Sequence, residues 1–125
     1  MEPDHGVIAS ALEVLPIEEA EALLRQGAAE SVFTPSERAY ASGKADPARR
    51  LAARLAAKRA ACRLLGEGIG PADVEVVRGA GGPPRLRLSP RARRRLAERG
   101  AKRILLSLTH ERTHAAAAVL LLRDR

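Results

Sequence analysis

An α+β fold in one domain follows from three features of the sequence. The stretch RRLAARLAAKRAACRLLGEGIG, from Arg49 to Gly70, is rich in Ala, Leu and Arg and ends in Gly66, Gly68 and Gly70, which predicts one long helix. The segments ADVEVVRG and RLRLS alternate apolar and polar residues around AGGPP, which predicts a β-hairpin. HGVIASALEV near one end and THAAAAVLLL near the other are nearly continuous apolar runs of the kind found in buried strands. With no internal repeat or low-complexity linker, residues 1–125 read as a single domain.

Taken in order, the first strand covers Val7, Ile8, Ala9, Ala11, Leu12 and Val14, with small residues around Ser10. Pro16 suits the first turn of a helix, PIEEAEALLRQG, in which Glu18, Glu19 and Glu21 favour the positive N-terminal dipole and Gly27 closes the far end. In FTPSERAY, Thr34 can cap a second helix that begins at Pro35, and Glu37 completes a capping box. The polar link GKADPA leads into the long helix.

On that helix Leu51, Leu55 and Cys62 form one apolar stripe, and Ala53, Ala57, Ala60 and Leu64 form another roughly opposite. Two apolar faces predict a helix packed between layers. Between them lie two polar strips, one of Arg50, Arg54 and Lys58, the other of Arg59, Arg63 and Glu67. Arg59 and Arg63 have a like-charge spacing that costs on the order of a few tenths of a kcal/mol unless an anion bridges them. They could present two guanidinium groups to a phosphate.

In the hairpin, Val74 and Val76 share one face and the pairing strand runs through Leu86 and Leu88. Ser89 as N-cap, Pro90 as first residue and Gly100 beyond the end bracket a short basic helix, RARRRLAER, read as a solvated face. KRILLSLTH and THAAAAVLLL form two strands joined by HERT, the second apolar enough to be buried on both faces.

The core must be built from Ala, Leu, Val and Ile, because the chain has one Tyr, one Phe and no Trp. Its lone Cys62 has no partner for an internal disulfide, and no signal peptide or membrane-spanning apolar run is visible, which predicts a soluble cytoplasmic protein without a membrane role. The 22 Lys and Arg against 15 Asp and Glu give a net charge of +7, which suits a polyanion or reflects the Arg content of a GC-rich genome. A nucleic-acid-binding module is disfavoured by the lack of aromatic residues for base stacking and of any recognised motif.

The order and spacing of FTPSERAY, RRLAARLAAKRAACRLLGEGIG, ADVEVVRGAGGPPRLRL and SLTHERTHAAAAVLLL resemble the holo-acyl-carrier-protein synthase family, the small 4′-phosphopantetheinyl transferases, from about Gly6 to Leu122. The resemblance implies an antiparallel sheet packed against the long central helix and a homotrimer with active sites between subunits. It implies coenzyme A as the ligand, an acyl carrier protein as the partner that receives phosphopantetheine on a serine, and Mg²⁺ on the pyrophosphate.

Matching HGVIASALEV to the family's Gly-Ile-Gly-x-Asp-x-Val-Glu puts Ser10 at the metal-binding Asp and Glu13 at the later Glu. Matching LAAKRAACR to Phe-Ala-x-Lys-Glu-Ala-x-x-Lys puts Lys58 on the Lys, Arg59 at the metal-binding Glu and Arg63 on the later basic residue. Glu13, Lys58 and Arg59 are thus the implied catalytic positions. A hydroxyl and a cation replace two carboxylates, so no metal ligand is expected here. Arg54, Arg63, Gly66, Gly68, Pro84, Ser107, Thr109 and His110 are the positions implied to hold coenzyme A, although Pro83 stands where the family has Lys or Arg.

Two readings follow from the resemblance. In one, the chain keeps the fold and the nucleotide pocket with weak or no transferase activity. In the other it is an active transferase in which Arg59 replaces the metal and Glu13 or a water supplies the base. Arg59 either grips phosphate with Arg63 or closes the vacant metal site in a salt bridge to Glu13. The first helix, with Glu18, Glu19 and Glu21 against Arg25, does not suit an acidic carrier protein. Either the partner differs or another basic surface meets it.

Overall fold

The architecture is built around α3 (Pro47–Leu65), whose alanines let it lie close to its neighbours on two sides. The computed structural model describes residues 6–78 and 81–123. Its other elements are β1 (Val7–Pro16), α1 (Ile17–Arg25), α2 (Pro35–Ser42), β2 (Val74–Arg78), β3 (Pro84–Leu88), α4 (Pro90–Glu98), β4 (Arg103–His110) and β5 (His114–Leu122). Part of the expected hairpin turn, Gly79 and Ala80, lies outside the described residues, as do the ends of the chain.

A three-stranded antiparallel sheet in the order β1-β5-β4 covers one side of α3, and the β2-β3 hairpin forms a second sheet. The other side of α3 meets α1, α2 and β2, which is the layered placement that its two apolar faces predict. Leu51 and Leu55 of one face and Ala57 and Ala60 of the other are all buried. Thr34 and Glu37 form the expected capping box of α2, and Ser89 caps α4 by accepting from Ala92 N at 3.1 Å.

Three expectations need correction. The long helix starts before Arg49, because Pro47 sits in its first turn after Asp46, whereas its end falls at Leu65 with Gly66 as the C-cap, as the glycines predict. Pro16 closes β1 instead of opening α1; at a sheet edge a residue without N–H can end a strand, and Ile17 N donates to Thr113 O at 2.8 Å. Of the polar strip of α3, Arg54 and Lys58 are both buried, beneath α2 and the hairpin. Finally, β5 is deeply buried on one face only. Ala115, Ala117, Val119 and Leu121 point into the core, whereas Ala116, Ala118 and Leu120 lie half-buried on the outer face. Leu12 and Val14 flank them there at 65% and 57% exposure, because among the described residues no element covers that side.

Candidate functional site

The site begins with the cap of α2. Once Thr34 fixes the start of that helix, the Glu37 carboxylate is carried inward, where Oε1 accepts from Thr34 N at 2.9 Å and Oε2 from Val76 N at 2.7 Å. Lys58 Nζ lies 2.9 Å from Glu37 Oε1 and donates to Pro71 O at 2.6 Å and Val74 O at 3.0 Å. An ammonium has three hydrogens, so these three acceptors satisfy it. Lys58 therefore ties α2, α3 and the hairpin together at 1% exposure and is not presented to a ligand in this structure.

One turn along α2 from Glu37, Tyr40 faces α3, and the Arg54 guanidinium stacks on it with Cζ 4.1 Å from the ring centroid. Behind this pair opens a cavity of about 230 Å³ lined by Tyr40, Arg50, Arg54, Arg78, Thr109 and His110 with two apolar neighbours. Arg54 Nε and His110 Nδ1 are both buried without a hydrogen-bond partner. Arg54 Nη1 donates to Arg50 O at 3.4 Å. Burial pulls the Arg54 guanidinium below its ordinary pKa, opposed by the Tyr40 hydroxyl and Glu37. For Tyr40 burial acts upward, but the field of Arg54, Arg50, Lys44 and Arg78 outweighs it and holds the phenol below its usual value. The cavity thus gathers positive charge, with no carboxylate among its lining residues, although Arg50 Nε also donates to Asp46 Oδ1 at 3.3 Å.

A second group of cations lies farther along α3, towards β1. Arg59 makes a two-pronged contact with Glu19 on α1, Nη1 to Oε1 at 3.2 Å and Nη2 to Oε2 at 2.6 Å. That hydrogen bonding is the main reason the Glu19 carboxyl sits below its ordinary pKa, with burial opposing and the Arg59 charge adding to the fall. Arg63 Nη2 donates to Glu13 and its Nη1 reaches Leu12 O at 3.5 Å. Of the two alternatives for Arg59, the bridge to Glu13 is not formed; Arg59 pairs with Glu19 and Arg63 with Glu13, because the helix places Arg59 over α1 and Arg63 over β1.

Past the end of α3, Gly66 and Gly68 both have positive φ, 96° and 89°, which a residue with a Cβ rarely adopts. Arg95 Nη1 donates to Leu65 O at 2.9 Å and Glu67 O at 2.8 Å, and Arg91 donates to Gly68 O. Part of the basic face of α4 thus binds the open carbonyls at this helix end.

The family profile of the 4′-phosphopantetheinyl transferase superfamily matches residues 13–119. The chain belongs to that superfamily. It is 48% identical over 94 residues to the holo-acyl-carrier-protein synthase of Anaeromyxobacter sp. strain K, a match covering 72% of this chain and 71% of that protein. It is 35% identical over 122 residues to the synthase of Geobacter sulfurreducens, covering 92% and 97% of the two chains. The fold superposes with a TM-score of 0.74 and 26% identity on the Bacillus anthracis holo-acyl-carrier-protein synthase in complex with CoA, covering 95% of this chain and 99% of that one.

Within this phosphopantetheinyl transferase fold, the cavity brings together Arg54, Thr109 and His110 of the expected ligand positions. Glu13, Arg59 and Arg63 gather along β1 and α1 instead, and Pro84 opens β3 opposite Arg78. Ser107 stands exposed on the outer face of the sheet, opposite Ala118, as does Ser10 opposite Leu120. Sequence reasoning missed Tyr40, Arg50 and Arg78 as cavity residues and Glu37 as the buried partner of Lys58. FTPSERAY carried the signal for two of them, since a Glu at the cap and an aromatic one turn later share a helix face.

Proposed function

We propose that this chain is a single holo-acyl-carrier-protein synthase-like domain that binds coenzyme A, with weak or no transferase activity of its own. The observation that carries the reading is the buried, unpartnered Arg54 Nε beside the unpartnered His110 Nδ1, in a cavity whose other charged residues are Arg50 and Arg78. Leaving a buried donor unmet is costly, so such a site favours an anionic ligand that supplies acceptors. At about 230 Å³ the cavity is smaller than the ~300–1,000 Å³ usual for a whole small-molecule ligand, so it suits a phosphate-bearing part of the coenzyme.

The residues at the family's metal positions do not fit Mg²⁺. Ser10 offers a lone hydroxyl on the outer face, Arg59 is a cation already held by Glu19, and the Glu13 carboxylate is engaged by Arg63. A hard dication needs free carboxylate oxygens. The same pairs support weak activity, since both cations that could take a pyrophosphate are neutralised from within, and Glu13 is not free as a base.

The uncovered outer face, with Leu12, Val14 and Leu105 exposed around the alanines of β5, supports the homotrimer, because monomers rarely leave such apolar patches in water. A shared site would also extend the small cavity. A cytoplasmic setting fits, and among the described residues no helix is long and apolar enough to cross a membrane.

The test is calorimetric titration of coenzyme A with and without Mg²⁺. Binding is expected in both buffers with the same affinity, and a clear gain with Mg²⁺ would return a carboxylate, Glu13 first, to the metal role. Sedimentation of the same sample should show a trimer, and a monomer would remove the shared site. A carrier protein incubated with the unmutated chain and coenzyme A is expected to gain little or no phosphopantetheine mass; rapid gain would establish the active transferase with Arg59 in place of the metal.

A further inference from the structure

A groove of about 420 Å³ runs between the hairpin, α4 and the start of β4. Its walls carry the exposed side chains of Arg78, Arg85, Arg93 and Lys102, and its floor is apolar, with Leu86 and Leu96 at 9% and 7% exposure. Arg87, which also lines it, is turned to Glu75 with Nη2 at 2.5 Å from Oε1. No carboxylate lines the groove among the described residues. Cationic walls above an aliphatic floor match one kind of occupant, a helix with carboxylates along its flanks and aliphatic side chains at its centre. A nucleic acid fits less well, because the floor offers no aromatic ring on which a base could stack: Tyr40 is engaged by Arg54 and Phe33 is buried in the core.

We propose that this groove, not the acidic first helix, docks an acidic helix of the carrier protein. The identity of the partner rests on the coenzyme A reading above. The acidic side of the molecule is closed to such a partner, since α1 exposes Glu18 and Glu21 near its N-terminus and like charges repel. Position supports the groove as well. Arg78 lines both the groove and the Arg54 cavity, so a helix seated here lies beside the bound coenzyme.

The experiment titrates an apo-acyl-carrier protein into the full chain at several salt concentrations, and coenzyme A in parallel. The double variant Arg85→Glu/Arg93→Glu reverses two exposed walls without touching the cavity, and Glu18→Lys/Glu21→Lys reverses α1. Carrier binding by the unmutated chain is expected to weaken as salt rises. The groove variant should lose roughly tenfold or more of that affinity, as for other complementary charged interfaces, while its coenzyme A affinity stays unchanged. Unchanged carrier affinity in the groove variant, or no carrier binding by the unmutated chain, overturns the proposal. So does selective loss of binding to a short single-stranded RNA, with the carrier unaffected. Failure of coenzyme A to bind the unmutated chain would instead strike the nucleotide reading, and the carrier arm would still judge the groove.

Discussion

Along α3, Arg54 faces Arg78 and His110 across a cavity lined by no carboxylate, with Arg50 beside it paired at 3.3 Å to Asp46 at the start of the same helix, whereas Arg59 and Arg63, a turn or two farther on, are each held by a carboxylate from another element. The residue type and the helix are the same. What differs is the neighbouring element: α2 brings an aromatic ring to Arg54, while α1 brings Glu19 to Arg59 and β1 brings Glu13 to Arg63. A guanidinium counts towards a ligand site only where the fold has left its charge unanswered, and here the fold leaves it so at one end of the helix.

The largest way to break the contrast is to remove the post that holds the open end in shape. Glu37 joins Thr34, Val76 and Lys58, all but one through buried contacts, and it positions α2 so that Tyr40 meets Arg54. Glu37→Ala strands the Lys58 ammonium in the core, and breaking a buried pair by removing one partner costs about 3–5 kcal/mol. Urea unfolding should show a loss of that size, together with weakened coenzyme A binding. A loss under about 1 kcal/mol, typical of exposed pairs, would show that the pair is not the anchor described here.

A smaller effect sharpens the contrast directly. Arg78 is exposed, so Arg78→Ala should fold normally, yet it removes one cation from the unanswered group. Hydrogen bonds to charged groups contribute about 1.5–3 kcal/mol, so the expected loss in coenzyme A affinity is roughly tenfold or more. Arg63→Ala removes a cation already committed to Glu13 and should leave metal-free affinity nearly unchanged. Equal losses from the two variants would mean that Arg63 leaves Glu13 for the ligand, and the division of the helix into two regions would fall.

These partner choices explain what could and could not be read from the sequence. The capping box of Thr34 and Glu37, the Ser89 cap and the alternation of Val74 and Val76 are set by residues close in the chain, and each appears where local rules put it. The burial of Arg54 and Lys58 was hidden, because periodicity assigns a charged strip to solvent unless a distant element is known to answer it. Glu37 answers Lys58 from another helix. Likewise Glu13 was the plausible partner of Arg59 by family position, but side-chain reach across α1 and β1 selects Glu19. Burial of β5 on both faces was inferred from composition, and within one chain only half of it can be met, since Leu12 and Val14 carry the apolar surface on past the edge of the core. Of the cavity, Arg54, Thr109 and His110 were legible through the resemblance, while Tyr40, Arg50 and Arg78 depend on how α2 and the hairpin close over α3.

The smallest effect tests the closed end. The Glu19 carboxyl is held below its ordinary pKa chiefly by its hydrogen bonds from Arg59, so the folded state favours its charged form more than the unfolded chain does. The stability this contributes is fully present above the unfolded carboxylate value of about 4.3 and is lost as pH falls through the lower folded value. Both side chains are about two-fifths exposed, at 41% and 42%, so solvent screening limits the pair to roughly 1 kcal/mol or less. Glu19→Gln should therefore lower stability slightly at neutral pH, and the difference from the unmutated chain should vanish at pH values below the folded pKa and shrink in high salt. The same variant frees Arg59. If the pair is only an internal closure, coenzyme A affinity in metal-free buffer should not change. A clear rise on freeing Arg59 would show that its guanidinium can take a phosphate once Glu19 releases it, and the two ends of α3 would then differ in occupancy rather than in kind.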